Sequence, residues 1–330
     1  MIYILNLIYM YILNSMNSDD IWLDYLSIDN SESNLGSDLC DNDAIKQYYG
    51  IDTESDIYLQ KAIETWKIVY KNNNKYFNLF GGQTFQINIK DRYYVIHIPN
   101  NCLESSEKFP TLIFLHGLSQ SAWNSALKRT RLIDLANKNN FIVIFGQGKG
   151  EICCPFRNKD GGIFFGDLYW EIEEPELDIN YLKSIMNLEG IIPFDNSKHN
   201  IDLNKIRNIM SDKIYLCGYS NGGMYSFNMC FSGLKLAGIC SMMGGYGGLA
   251  AYSGSKIDKF INKFNTMSTN IPIIIVTGTL DEYNPASQKA VEILGEKNFT
   301  NVKFFNIDDK KHSYPNDYES IVWKLFTDKY

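Results

Sequence analysis

Residues 213–230 read KIYLCGYSNGGMYSFNMC, and the fold turns on how they are read. Ile214, Tyr215, Leu216 and Cys217 form a short unbroken apolar run, as a parallel strand buried on both faces requires. Gly218-Tyr219-Ser220-Asn221-Gly222 follows, a G-x-S-x-G, then Gly223 and a run with Met224, Phe227, Met229 and Cys230 that suits a packed helix. Strand, tight turn and helix in immediate succession is the setting in which a serine hydroxyl is held out at a sharp corner. The reason is steric. Residues without a Cβ two places before and two after the serine, Gly218 and Gly222, let strand and helix approach closely. The helix N-terminus then sets unpaired N–H groups and a positive dipole end beside the hydroxyl, where negative charge would develop. The bland alternative is a glycine-rich crossover with an idle serine; the flanking pattern favours a nucleophile.

The chain of 330 residues has room for one large α/β domain, or for a domain with an extension. At 45% hydrophobic and 14% aromatic it can fill a sizeable core. Its net charge of −7 is uneven: residues 1–75 hold 12 Asp and Glu against 5 Lys and Arg, whereas residues 76–330 hold 26 of each. The acidity therefore belongs to an N-terminal extension over 1–75, and the remaining 76–330, read as the catalytic domain, carry no basic footprint for nucleic acid. The cysteines at 40, 102, 153, 154, 217, 230 and 240 show no metal-ligand spacing and no disulfide pattern, which favours a reducing, intracellular compartment over secretion. The adjacent Cys153 and Cys154 stand apart, in a loop near the expected cleft. Residues 1–13, MIYILNLIYMYIL, are too short for a membrane span of ~20 residues. They also lack the charged start and small-residue cleavage site of a signal peptide, so a buried helix or strand is expected, with a cleaved or weakly anchoring signal as the minority reading.

Residues 14–53, rich in Ser, Asn and Asp, read as loop or connector, and 56–70 as an amphipathic helix. Beyond them strands and helices alternate, as in a mostly parallel sheet covered on both faces. The expected strands are 85–90 and 93–98 as a starting antiparallel pair, then 111–116, 141–145, 214–217, 236–242, 273–276 and 302–307. The expected helices are 122–137, 177–187, 203–210, 224–231, 257–264, 286–294 and 318–326.

A serine nucleophile needs a base and a group to orient that base. Of the four histidines, His97 lies inside a strand, His116 ends one, and His199 sits in a polar stretch upstream of the serine. His312, in DDKKHSYP, is the one downstream of both the serine and an acid candidate. In IPIIIVTGTLDEYNP, Asp281 falls just past the carboxyl end of a strand, where open α/β sheets build their sites. Glu282, Asp308 and Asp309 are its rivals. The amide of Asn221, directly after the serine, and that of Leu118, in the loop after strand 111–116, are the candidate oxyanion donors, with His116 bracing that loop. Pocket walls are expected from loops 147–174, with Phe164, Phe165, Tyr169 and Trp170, and 244–252. Trp170 and Tyr219 are the candidate substrate contacts.

LHGLSQSA (115–122), CGYSNGGM (217–224), GTLDEYNP (278–285) and KHSYP (311–315), with LDINYLKSI (177–185) before the elbow, resemble in order and spacing the α/β-hydrolases of the polyhydroxybutyrate-depolymerase and feruloyl-esterase-like branch. The resemblance spans roughly 80–330. It implies an α/β-hydrolase fold of about eight strands, with Ser220, Asp281 and His312 as catalytic residues and Leu118 and Asn221 as the oxyanion hole. The polar stretch 189–200 departs from it as an insertion. The expected activity is cleavage of a small-molecule or polymeric carboxylic ester through an acyl-enzyme, with no metal and no cofactor. A thioesterase or serine peptidase on the same residues, and a non-catalytic binding protein of the same fold, are the alternatives.

Overall fold

The computed structural model describes residues 76–327 except 80, 91, 119, 150–155, 158–162, 165–168, 195–198, 200, 250–253 and 264–269. The expected apolar start 1–13, loop 14–53, helix 56–70 and extension 1–75 lie outside the described residues. So do Cys153, Cys154 and the wall residue Phe165.

Eleven strands are present among the described residues: β1 (Tyr76–Leu79), β2 (Gly82–Ile89), β3 (Arg92–Pro99), β4 (Phe109–Leu115), β5 (Ile142–Gly146), β6 (Phe156–Arg157), β7 (Ile163–Phe164), β8 (Met210–Tyr219), β9 (Gly238–Met242), β10 (Ile273–Gly278) and β11 (Val302–Ile307). The chain divides into two compact units. In the unit made of Met1–Asn74 and Glu151–Gly166, the described strands are β6 and β7, paired antiparallel with each other. The other nine strands belong to the second unit and form one sheet in the order β1-β2-β3-β5-β4-β8-β9-β10-β11. The strands from β5 to β11 in that order run parallel, and β1 to β3 pair antiparallel at one edge. The sequence predicts about eight strands; the ninth is β1, whose four residues YFNL are too few for a period to register.

The sheet is buried on both faces because its interior strands are mostly apolar, with His97, Thr111, Ser241 and Thr277 among the buried polar exceptions. On one face Ile113, Leu115, Ile214, Leu216, Ile239, Ile273 and Ile275 join a core with residues of later helices, among them Ile185, Phe227, Phe260 and Leu294. The opposite face presents Phe114, Phe145 and Tyr215, and there Trp323 and Phe326 of the C-terminal helix pack on Tyr215. Alternation of side chains along each strand sends neighbours to opposite layers, which is why continuous rather than alternating hydrophobicity marks these strands.

The helices are α1 (Asn100–Leu103), α2 (Ala122–Asn124), α3 (Leu132–Asn139), α4 (Glu176–Met186), α5 (Leu203–Ile209), α6 (Asn221–Asn228), α7 (Gly254–Lys263), α8 (Asn284–Glu296) and α9 (Tyr318–Thr327). The single helix predicted over 122–137 is broken. α2 runs into a π-turn, Ser125–Arg129, and Thr130 is extended before α3 begins. Thr130 Oγ1 donates to the Ser125 carbonyl at 3.0 Å, and both Glu319 carboxylate oxygens accept the Arg131 N–H at 3.1 Å, so a local side chain closes the π-turn and a distant acid holds the residue that precedes the new helix. α6 likewise starts at Asn221, three residues before the predicted start, because Gly222 and Gly223 are its first turn. The predicted insertion over 189–200 is described in part, and its Ile191 exchanges two backbone hydrogen bonds of 2.8 Å with Asn88 of β2.

The chain leaves β4 toward β5 and leaves β8 toward β9, in opposite directions across the sheet. A crevice opens outside the carboxyl ends of adjacent strands at such a reversal. His116 to Leu118 follow β4 there, and Ser220 follows β8.

Candidate active site

Ser220 is the single residue between β8 and α6, and it holds φ +53° and ψ −119°. A non-glycine residue in that region costs of order 1–3 kcal/mol and persists only where its surroundings impose it. Here two glycines allow it. A Cβ on Gly218 would meet the Gly222 carbonyl oxygen at 2.1 Å, and one on Gly222 would meet the carbonyl oxygens of Leu115 and His116 at 2.3 and 2.4 Å. The elbow is further held by the Ser220 N–H on the Met242 carbonyl at 2.8 Å.

His312 and Asp281 come from the loops after the last two strands. Three bonds lace those loops together: the Thr279 N–H donates to the Ile307 carbonyl, the Leu280 N–H to the Lys310 carbonyl, and the Asp309 N–H to Thr279 Oγ1, at 2.9, 3.0 and 2.9 Å. His312 Nδ1 lies 2.9 Å from Asp281 Oδ1, and His312 Nε2 lies 2.9 Å from Ser220 Oγ. An ionised carboxylate only accepts, so Nδ1 carries the proton and the Nε2 lone pair faces the hydroxyl. The Asp281 side chain is fully buried and that of His312 is 7% exposed, which strengthens both contacts. The rivals Glu282, Asp308 and Asp309 are exposed. Asp281, Glu282 and His312 do bring ligand-type atoms within 4.8 Å of one another. Yet Asp281 Oδ1 and both imidazole nitrogens already face one another or Ser220, an arrangement suited to moving a proton.

The remaining histidines take other positions. His97 is buried between Thr84 Oγ1 at 2.7 Å and Asn137 Oδ1 at 3.1 Å, and burial lowers its imidazole to about 4. His199 stacks on Tyr76 at 3.9 Å. His116 braces the loop after β4: the Gly148 N–H donates to its Nε2 at 2.8 Å, and its Nδ1 lies 2.7 Å from the Gly117 carbonyl. Leu118 is half-buried in that loop, whose Gly117 would place a Cβ 3.3 Å from Ser220 Cβ. The Asn221 amide is the first of α6, where an N–H has no acceptor within its own helix.

Both expected substrate contacts sit elsewhere than in an open pocket. Tyr219 is buried and stacks on His312 with ring centroids 5.5 Å apart. Trp170 shows no exposed surface, and its indole Nε1–H donates to the His116 carbonyl at 3.1 Å. Sequence reasoning missed Tyr283, whose N–H donates to Asp281 Oδ1 at 2.9 Å while its ring lies 4.9 Å from that of His312. Its place two residues after the acid was the available signal. It also missed Glu319, buried below the His312 loop, which accepts from the Tyr314 hydroxyl at 2.8 Å. Burial pushes that carboxyl up to about 8.

A mostly parallel sheet with a serine, a histidine and a carboxylate in hydrogen-bond line at the carboxyl ends of its strands defines an α/β-hydrolase fold. Solved structures share the fold. An S-formylglutathione hydrolase of Agrobacterium tumefaciens has TM-score 0.52 at 13% identity, over 76% of this chain and 97% of that one. The fluorophosphonate-binding serine hydrolase F of Staphylococcus aureus has TM-score 0.50 at 15% identity, over 75% and 99%. A ferulic acid esterase has TM-score 0.51 at 12% identity, over 75% and 98%. Residues 102–325 match the Phospholipase/Carboxylesterase family model, and the chain belongs to that family. It is also 54% identical, over 94% of its own length and 97% of the relative's, to an uncharacterized hydrolase of Acanthamoeba polyphaga mimivirus.

Proposed function

We propose that the protein is a serine esterase that cleaves a carboxylic ester through an acyl-enzyme on Ser220. The observation that carries this reading is the unbroken line from Ser220 Oγ through both His312 nitrogens to Asp281, with each gap 2.9 Å. His312 takes the hydroxyl proton at Nε2 as Oγ attacks the carbonyl carbon, and Asp281 stabilises the imidazolium. The amides of Leu118 and Asn221 receive the oxyanion. The imidazolium then protonates the leaving alcohol, and a water molecule, deprotonated in turn by His312, releases the acid. The phospholipase/carboxylesterase family supports an ester as the bond cleaved. The motifs shared with the feruloyl-esterase and polyhydroxybutyrate-depolymerase branch make feruloyl and hydroxybutyrate esters the first substrates to assay. In this reading residues 76–330 form the catalytic domain and 1–75 an acidic extension.

Ser220→Ala is expected to lower hydrolysis of a p-nitrophenyl ester by ~10⁴-fold or more. A fluorophosphonate should label Ser220 in the parent and nothing in the variant. Full turnover by the alanine variant would overturn the assignment. Comparing matched ester, thioester and amide substrates on the parent separates the esterase from a thioesterase or peptidase.

A further inference from the structure

We propose that Trp170 and the Asn221 carboxamide form a clasp that sets the spacing of the two oxyanion-binding amides, making Trp170 a positioning residue; this rests on the esterase reading above. Asn221 is used twice. Its backbone N–H stands at the start of α6, whereas its side chain pairs with both backbone groups of Trp170. Asn221 Oδ1 accepts the Trp170 N–H at 2.7 Å, and Nδ2 donates to the Trp170 carbonyl at 3.2 Å. From the same residue the indole Nε1–H reaches across to the His116 carbonyl at 3.1 Å. One tryptophan thus holds the residue that carries one donor and the loop that carries the other.

The geometry of the second donor explains why the far end of the clasp matters. Because the Gly148 N–H donates to His116 Nε2, the His116 proton is on Nδ1 and points at the Gly117 carbonyl, 2.7 Å away. That carbonyl and the Leu118 N–H belong to one trans peptide unit and face opposite ways. Fixing the carbonyl therefore aims the N–H. The indole bond fixes the preceding carbonyl, so two successive peptide units of this loop are pinned.

Packing makes the clasp stiff. The Trp170 ring is fully buried, with centroids 5.7 Å from Tyr225 and 6.1 Å from Tyr181. It presses so closely on the end of β5 that a Cβ on Gly146 would come 2.9 Å from its Cη2. The indole has nowhere to slide. An aromatic residue buried only to fill space needs one acceptor for its N–H; this one also engages the side chain next to the nucleophile through its own backbone.

Two variants test the clasp. Trp170→Phe keeps a ring and removes the Nε1–H; Asn221→Ala keeps the backbone amide and removes both side-chain bonds. Active sites are counted by fluorophosphonate labelling, so that loss of folded protein is not read as loss of rate. For each variant kcat per labelled site should fall ~10- to 100-fold, as expected for a displacement near 1 Å. KM for a p-nitrophenyl ester should stay within about threefold, the pattern of an interaction made in the transition state. Ki for a trifluoromethyl ketone, which forms a tetrahedral adduct on serine, should rise by the factor that kcat/KM falls. Unchanged kcat per labelled site, or a loss seen in KM without Ki, overturns the clasp and leaves the esterase standing. A parent unlabelled at Ser220, or undiminished by Ser220→Ala, overturns both. If Trp170→Phe does not fold, Asn221→Ala decides, since its side chain lies at the half-buried rim.

Discussion

At the scale of single residues, the site depends as much on absent atoms as on reactive ones. A methyl group at Gly222 would collide with two backbone oxygens of the β4 end, and neither belongs to a flexible side chain that could yield. Gly222→Ala should therefore cost roughly 1–3 kcal/mol, the usual toll of overpacking. Because the displaced strand end leads into the Leu118 loop, turnover should fall by more than that loss of stability explains. Melting curves beside kcat per labelled site check this, and an active variant with the parent's rate would refute it. That Ser220, Asp281 and His312 would meet was legible in the sequence, because chain order and strand ends restrict them. The burial of Trp170 was not legible, since an aromatic residue in a loop carries no period that tells a pocket wall from a buried ring. Nor does anything in the letters show that the Asn221 side chain turns back toward Trp170.

At the scale of elements, the interior strands were readable because burial on both faces leaves few polar positions, such as Thr111, Ser241 and Thr277, to interrupt their apolar runs. The break between α2 and α3 was not, because the acid that holds it, Glu319, lies 188 positions away. Local propensity favours continuing the helix, and a tertiary contact overrides it. The helix that supplies this acid, α9, is itself fastened by aromatic rings. Trp323 stacks on Phe141 with centroids 3.8 Å apart and meets Tyr215 edge-on at 5.7 Å. Trp323→Ala should cost ~3–5 kcal/mol through the cavity it leaves. Urea unfolding should show a lower midpoint with an unchanged m-value. A midpoint equal to the parent's would show that α9 contributes little to holding the sheet.

At the scale of the whole molecule, Glu319 makes stability depend on pH. Its folded carboxyl titrates near 8, against the ordinary 4.5; burial dominates, while the Tyr314 hydroxyl and the Arg131 amide and charge pull it down and Asp134 pushes it up. Between those values the folded chain holds a proton that the unfolded chain has released. Stability therefore falls as pH rises through the window, by up to ~1.4 kcal/mol per pH unit. His97 acts in the opposite sense from about 4 to 6.5, where the folded imidazole stays neutral. The two trends oppose each other at acid pH, leaving the decline most visible from 6.5 to 8. Glu319→Gln keeps the hydrogen-bonding shape and should remove the decline. Unfolding free energies of parent and variant that run parallel from pH 6 to 8.5 would contradict it.

The last strand of the sheet, β11, is half open to solvent along its length and, among the described residues, pairs on one side only. The imidazole hangs from the loop that follows it, whereas the hydroxyl grows from β8, deep within the sheet. On the proposed mechanism, fraying at that margin would carry off the base while the nucleophile stayed in place, so heat or denaturant would silence the molecule before it lost its shape.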